Sequence, residues 1–283
     1  MVISSINFKQ KDFPKALLEI SAHPKKLFIL GKIPDLPMIA IVGTRRPTEY
    51  GRQITYRLSF DLAKSGFAVV SGLALGIDSI AHRAALDAGG KTVAVLGNGL
   101  DNIYPSSNRS LAKNILANGG AIISEYESGT PPLRHHFPAR NRIIAGLSLA
   151  TIITEADAKS GSLITANFAL QQNRLVMAVP GNVTSLKSAG PNNLIKSGAV
   201  PITDAVDVLS ILGLKNPDLA PKTVKADSKE EALIIELIGQ GINTTQALIE
   251  KSNISADQLA SIISLMEITG KVKNLGAGQW TSQ

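Results

Sequence analysis

The chain has 283 residues, 44% of them hydrophobic and 18% charged, with four histidines and no cysteine. That composition supports a full-sized core and excludes a disordered or fibrous chain, a disulfide framework, thiolate metal sites and a cysteine nucleophile. The net charge of +7 is uneven: residues 1–220 hold 23 Lys/Arg against 15 Asp/Glu and residues 221–283 hold 6 against 7, so a polyanion-binding surface belongs to the first part.

Met1 to Pro14 carries Lys9, Lys11 and Asp12 without an apolar core and cleavage site, which points away from a secretory leader. The longest strongly apolar stretches, Phe67 to Ile77 and Ile143 to Thr154, fall short of the ~18 residues that span a bilayer. The expectation is a cytoplasmic protein with no membrane partner. Residues 1–37 hold a helix over Phe13 to Ile20 and a Pro-interrupted stretch, read as a lead-in packed on the domain that begins at Met38.

From Met38 onward, short β-branched or apolar runs alternate with helix-like segments, the pattern of a parallel sheet covered by helices. Strands are predicted at Met38 to Val42, Ala68 to Ser71, Lys91 to Leu96, Ala121 to Ser124, Ala150 to Thr154 and Leu175 to Val179. Helices fit between them at Tyr50 to Ser65, Ile77 to Ala88, Asn108 to Asn118, Ala139 to Leu147 and Ser162 to Gln172, several closed by a glycine such as Gly66, Gly89 or Gly119. The fold class is therefore α/β, a doubly wound, mostly parallel sheet over residues 38–214. Residues 215–228, with Pro217, Pro221 and scattered lysines, read as a linker. Residues 229–283 form a small winged-helix-like domain: a helix from Glu230, helices capped by Thr244 and Ser255, and a hairpin around Gly276 and Gly278.

In an open parallel sheet, ligands bind beyond the carboxyl ends of the strands. The residues there are Gly43-Thr44-Arg45-Arg46-Pro47, Ser71-Gly72-Leu73-Ala74-Leu75-Gly76, Gly97-Asn98-Gly99, Lys159-Ser160-Gly161-Ser162 and Gly181-Asn182. Small residues let a backbone approach closely, and hydroxyls and bare N–H groups suit phosphate oxygens, so these turns describe an anion-binding rim. Phe137-Pro138-Ala139-Arg140-Asn141-Arg142 adds an aromatic, two guanidiniums and an amide after Arg134-His135-His136, a pairing suited to single-stranded nucleic acid.

Proton-transfer chemistry is sparse. Asp78 and His82, four apart on one helix, are expected to make a local hydrogen bond that orients the helix under the Ser71 to Gly76 turn. Neither G-x-G-x-x-G at a helix start, a P-loop, G-x-S-x-G nor H-E-x-x-H is present, so the reading assigns no cofactor and no metal. In the second domain the recognition-helix candidate, Ala256 to Ile268, holds Asp257 and Glu267 and no cation, which suits protein contact or tethering better than a polyphosphate groove.

With these turns in hand, the sequence resembles the DNA-processing protein A family (DprA, also called Smf). The resemblance is carried by Ile39-Ala-Ile-Val-Gly-Thr-Arg-Arg-Pro-Thr-Glu-Tyr-Gly51, Ser71-Gly-Leu-Ala-Leu-Gly-Ile-Asp-Ser-Ile-Ala-His82, Val95-Leu-Gly-Asn-Gly-Leu-Asp-Asn-Ile-Tyr-Pro105, Phe137-Pro-Ala-Arg-Asn-Arg-Ile-Ile-Ala145, Ser160-Gly-Ser-Leu-Ile-Thr-Ala166 and Val179-Pro-Gly-Asn182. They occur in the family's order, between about Leu17 and Leu214. The resemblance implies an extended Rossmann-like domain and a homodimer without catalytic turnover. It implies that this domain binds single-stranded DNA irrespective of sequence, protects it during natural transformation and helps load the recombinase RecA. It carries phosphate binding onto Arg45, Arg46, Ser71, Gly72, Arg140, Arg142, Ser160, Gly161 and Ser162; Lys159 joins them on charge alone. The 36 or so residues before Met38 are too few for the helical domain many members place there, and Thr44 stands where serine is common.

Two other functions fit this class of sheet less well. A nucleotide or ribose-phosphate processing enzyme resembling the lysine-decarboxylase-like proteins would carry their P-G-G-x-G-T-x-x-E loop, which the sequence lacks. A duplex-reading transcription regulator would need cations on the second domain's helix.

Overall fold

A computed structural model of the chain describes residues 2–214, 226–252, 254–269, 271–276 and 278–282. The chain divides into two units, residues 1–219 and 220–283. The first opens with β1 (Ser4–Asn7), a single-turn helix α1 (Lys15–Leu18) and β2 (Lys26–Gly31). An alternating series comes next: β3 (Met38–Val42), α2 (Glu49–Lys64), β4 (Ala68–Ser71), α3 (Ile77–Asp87), β5 (Thr92–Leu96), α4 (Arg109–Ala117) and β6 (Ala121–Ser124). The chain then crosses through α5 (His136–Leu147) to β7 (Ala150–Ile153), α6 (Ser162–Gln171), β8 (Leu175–Ala178), α7 (Ala189–Lys196), β9 (Val200–Pro201) and α8 (Ala205–Ile211).

The strands form one nine-stranded sheet in the order β1-β2-β6-β5-β4-β3-β7-β8-β9. Strands β3 to β9 pair in parallel, whereas β2 joins β6, and β1 joins β2, antiparallel. This is the expected doubly wound, mostly parallel α/β sheet.

Period-two alternation along the strands builds a core on each face. Ala40, Val42, Val70, Val95 and Ile123 pack against Leu17 of α1 and Ile143, Ile144 and Leu147 of α5. Ile39, Ile41, Val69, Ile152 and Met177 pack against Leu58 and Leu62 of α2, Ile77 of α3 and Val208 of α8. Each aliphatic side chain so buried stabilises the unit by about 1.5–3 kcal/mol relative to exposure. The buried face of α2 is entered through a cap: Thr48 Oγ1 accepts from the N–H of Gly51 at 3.2 Å.

Residues 1–37 are more than a lead-in. Lys26–Gly31 is a strand whose Leu27 and Leu30 are buried and whose register, Phe28 opposite Ser124, extends the sheet past β6. Flanking Pro24, Pro34 and Pro37 mask the strand in the sequence, yet proline is tolerated where a strand lies beyond its paired residues. The predicted helix over Phe13 to Ile20 contracts to one turn, and α5 begins at His136 rather than Ala139, because Pro138 fits the first turn, where its missing N–H is needed by no carbonyl. Other boundaries agree to within a residue or two.

In the second unit, α9 (Lys229–Gly239), α10 (Thr245–Ser252) and α11 (Ala256–Ile268) precede a hairpin of β10 (Val272–Gly276) and β11 (Gln279–Ser282), a winged-helix outline. Ser228, Thr244 and Ser255 cap the three helices, accepting from the N–H groups of Glu231, Ala247 and Gln258. Ile234, Leu248, Leu259, Ile263, Met266 and Trp280 form its core. Most of the predicted linker, residues 215–225, lies outside the described residues. Among the described residues no helix is long and apolar enough to cross a membrane.

Candidate nucleic-acid interface

Strand order changes direction at β3: β4, the next strand in sequence, lies on one side and β7 on the other. The turns after β3 and β7 therefore part, and a crevice opens at the carboxyl end of the sheet. A cleft of about 780 Å³ occupies it, lined by the β3 turn, the start of α3, the segment from Pro132 to Asn141 and Ser160–Thr165 among others.

The β3 turn is held by a residue that no motif marks in the sequence. Glu155, buried just beyond β7, accepts from Thr48 N–H at 2.8 Å and Thr48 Oγ1 at 2.6 Å, and its carbonyl accepts from Thr44 N–H at 2.7 Å. Gly43 makes the approach possible, since a Cβ there would come within 2.6 Å of the Glu155 carbonyl oxygen. With its backbone anchored, the turn leaves the side chains of Arg45 and Arg46 exposed. The Arg45 guanidinium lies 5.9 Å from the Phe137 ring centre, and the centre of the Tyr104 ring lies 5.8 Å from it. Among the described residues neither Arg45 nor Arg134 has an acidic partner. The cleft lining thus holds two cations without an acidic partner among the described residues and two aromatic rings.

The floor is a buried charge network. Arg140 Nη1 donates to the Gly72 carbonyl at 2.9 Å and to the Val95 carbonyl, and its Nε donates to Asn141 Oδ1 at 3.2 Å. Asp78 Oδ2 accepts from the N–H groups of Gly72 and Ala74 at 3.1 and 3.3 Å. A Cβ on Gly72 would lie 2.6 Å from an Arg140 nitrogen and 2.8 Å from Asp78 Oδ2, so only glycine fits between the two charges. Burial pulls the Arg140 guanidinium down to about 10, with Asp78 opposing and Arg45 adding to the fall. Arg140 is still a cation at neutral pH. Burial raises Asp78, against the pull of Arg140. On the far wall Ser160 and Ser162 hydroxyls meet at 2.8 Å, and Asn141 Nδ2 donates to the Gly161 carbonyl at 3.3 Å.

Of the expected site residues, the cleft lining unites Arg45, Arg140, Ser160, Gly161 and Ser162, with Gly72 at the edge of a smaller recess beside Arg140. Arg46 and Lys159 are exposed on the same turns but outside the lining. Two residues stand elsewhere. Ser71 is fully buried and donates to the Ile41 carbonyl at 2.7 Å, bracing β3 against β4. Arg142 grips Glu125 at 2.7 and 2.8 Å and donates to the carbonyls of Ala22 and Ala139. Positions two apart on a helix point about 200° apart, so Arg140 and Arg142 cannot share a face. Arg134 and Tyr104 join the cleft although the sequence motifs do not single them out as site residues; an aromatic beside Pro105 in the turn region beyond β5 was the available signal for Tyr104.

In place of the expected Asp78–His82 hydrogen bond, each side chain takes partners of its own. Asp78 turns back to the β4 turn, and His82 Nδ1 meets Thr92 Oγ1 at 2.6 Å. Burial, then the charge of Arg140, depresses His82 from 6.5 to about 3. The unfolded chain takes up this proton below about pH 6.5 and the folded chain does not, so the contribution is complete above 6.5 and lost as pH falls toward 3. The expected slope is about 1.4 kcal/mol per pH unit. Asp78, raised in the fold, contributes in the opposite sense as it protonates. Melts of the unmodified chain and His82→Gln between pH 7 and 4.5 isolate the histidine; identical pH slopes would refute a neutral buried imidazole.

The chain matches the family model described as DNA recombination-mediator protein A over residues 4–213. It belongs to that family. The chain is 47% identical to protein Smf of Synechocystis sp. over 208 residues, which covers 71% of this chain and 52% of that protein, about half the relative's length. It is 42% identical to DNA processing protein DprA of Bacillus subtilis over 217 residues, 76% of this chain and 73% of that one. In three dimensions it resembles DprA of Streptococcus pneumoniae, with a TM-score of 0.70 at 42% identity and 74% of each chain covered. It also resembles DprA of Helicobacter pylori, a structure concerned with that protein's single-stranded DNA binding mode, with a TM-score of 0.67 at 37% identity, covering 74% of this chain and 95% of that one. This family member therefore shares the Rossmann-like fold of its DprA relatives, and the family match runs from β1 to the end of α8.

Proposed function

We propose that this chain binds single-stranded DNA without regard to sequence, holding the sugar-phosphate backbone in the cleft beyond the sheet. The observation that carries the reading is the cleft mouth. Arg45 and Arg134, free of carboxylate partners among the described residues, line the cleft with Phe137 and Tyr104, and Arg45 lies 5.9 Å from the Phe137 ring centre. Guanidiniums take phosphate oxygens and the rings take bases, a combination that accepts any sequence because every base has a π-face. The hydroxyls of Ser160 and Ser162, with Lys159 on their turn and Arg46 beside Arg45, extend the donor set. The single-stranded DNA binding mode of the Helicobacter pylori relative supports the same ligand.

In this reading the protein is a carrier rather than a catalyst. The cleft's carboxylate, Asp78, already accepts two backbone N–H groups, which suits it to bracing and not to proton transfer. The chain acts in the cytoplasm as a homodimer, protects incoming strands in natural transformation and passes them to RecA; the family membership supports these roles. The first unit carries the strand, and the second unit serves contact with protein.

The test is a salt titration of the full chain with oligo-dT, a mixed-sequence strand and a duplex. We expect similar affinity for both single strands, weaker duplex binding, and log K falling linearly with log salt through counterion release. Preference for a duplex operator, or turnover of a nucleoside monophosphate, would overturn the assignment.

A further inference from the structure

The exposed face of α2 lies outside the cleft. Arg52, Tyr56, half-buried Phe60 and Lys64 recur there every fourth residue, and Arg57 stands beside them. The rings of Tyr56 and Phe60 are stacked, centres 6.1 Å apart and planes 19° apart, and Lys64 Nζ lies 5.7 Å from the centre of Phe60. Tyr56 is 41% exposed. Between α2 and α3 a groove of about 580 Å³ is lined by Arg52, Tyr56, Arg57, Ile80 and Arg83 together with Gln53, Glu49 and Asp87.

Charge in the groove leans positive. Arg52 and Arg57 touch Glu49 and Asp61 on their own helix only at 4.0 and 3.9 Å, at the limit of an ion pair, where exposed contacts of this kind hold the guanidiniums weakly. Asp87 accepts from the Tyr56 hydroxyl at 3.0 Å, which fixes the ring, and Arg83 has no acidic partner among the described residues. The groove also begins where the chain leaves the cleft's β3 turn. Glu49 and Arg52 lie in the first turn of α2, directly after the turn that carries Arg45. Ile80 is one turn into α3 from Gly76, where a Cβ would lie 2.6 Å from the Arg45 carbonyl.

We propose that this stripe is a second track for single-stranded DNA, continuing the strand out of the cleft over the β3 turn and along α2. Tyr56 and Phe60 stack on bases, and Arg52, Arg57, Arg83 and Lys64 take phosphates. From Arg52 to Lys64 the track runs about 18 Å at 1.5 Å per residue, room for a few nucleotides beyond the cleft. The inference rests on the cleft as the primary strand site and adds a length dependence to it: a short strand fills the cleft alone, and a longer one reaches the stripe.

The test uses the full chain with oligo-dT of about 6 and about 25 nucleotides. Tyr56→Ser combined with Arg83→Gln should weaken the long strand about tenfold and leave the short one unchanged, since one lost base stack is worth about 1–3 kcal/mol and tenfold is 1.4. In a second variant, Tyr56→Trp, the long strand should quench the new indole and the short one should not. Unchanged affinity for both lengths in the double variant, or equal quenching by both, overturns the track while leaving the cleft standing. An unmodified chain that binds neither strand overturns the cleft reading, and the track with it.

Discussion

Arg45→Ala is expected to lower affinity for oligo-dT and for mixed-sequence single strands by the same factor, about ten- to a hundredfold, a hydrogen bond to a charged group being worth about 1.5–3 kcal/mol. Arg45 is exposed, its backbone is pinned through Thr44 and Thr48 to Glu155, and among the described residues its guanidinium has no carboxylate partner to leave. What it loses on truncation is a phosphate contact and its place over Phe137. A contact to phosphate carries no base information, so the loss should be uniform, and the slope of log K against log salt should fall by about 0.7 per contact removed from a single strand. Arg142→Ala is the internal control. That arginine is held by Glu125 away from the cleft, so its removal should leave strand affinity unchanged. A sequence-dependent loss at Arg45, or an equal loss at Arg142, would contradict this arrangement of the cleft.

Arg140→Met is expected to destabilise the first unit by about 3–5 kcal/mol, the cost of breaking a buried charge interaction from one side. The methionine fills similar volume but leaves the carbonyls of Gly72 and Val95 without their donor and Asp78 without a neighbouring cation. Arg140→Lys should recover part of the loss, since a single ammonium keeps the charge without the planar fork that reaches two carbonyls and Asn141 at once. Adding Asp78→Asn to Arg140→Met should cost less than the separate changes predict, because the amide oxygen can still accept from Gly72 while the unpaired charge is gone. Urea unfolding followed by circular dichroism measures the unmodified chain, the two Arg140 variants, Asp78→Asn and the double variant, with the midpoint shifting at constant slope. Unchanged stability in Arg140→Met accompanied by lost strand binding would instead make Arg140 a direct phosphate ligand.

Much of this molecule is written locally. Buried parallel strands must be short and apolar on both faces, and the runs around Ile39, Val69, Val93 and Ile152 read that way without reference to anything distant. The ligand-facing turns are similarly legible, because a strand that ends in glycine, serine or threonine before a helix announces a backbone that must turn sharply and expose N–H groups. Gly43, Gly72 and Gly161 stand out by that logic, and the close approaches at the first two bear out the need for glycine.

Partner choice was not legible. Arg140 and Arg142 are the same residue two positions apart, and helical geometry says only that they diverge. Which one faces the sheet depends on the carbonyls of Gly72 and Val95 on one side and Glu125 on the other, residues up to 68 positions away. Ser71, Asp78 and His82 likewise took partners from neighbouring strands or turns in place of those the sequence suggested, and β2 became a strand because the edge of β6 was there to pair with it. The amino-acid sequence by itself determined the alternating sheet and the chemistry of its turns, since periodicity and backbone freedom are properties of a few adjacent residues. Only the tertiary structure decided which charges reach the cleft and which are buried or paired, because a polar side chain's direction is set by the donor or acceptor that desolvation obliges it to find, and that group comes from elsewhere in the chain.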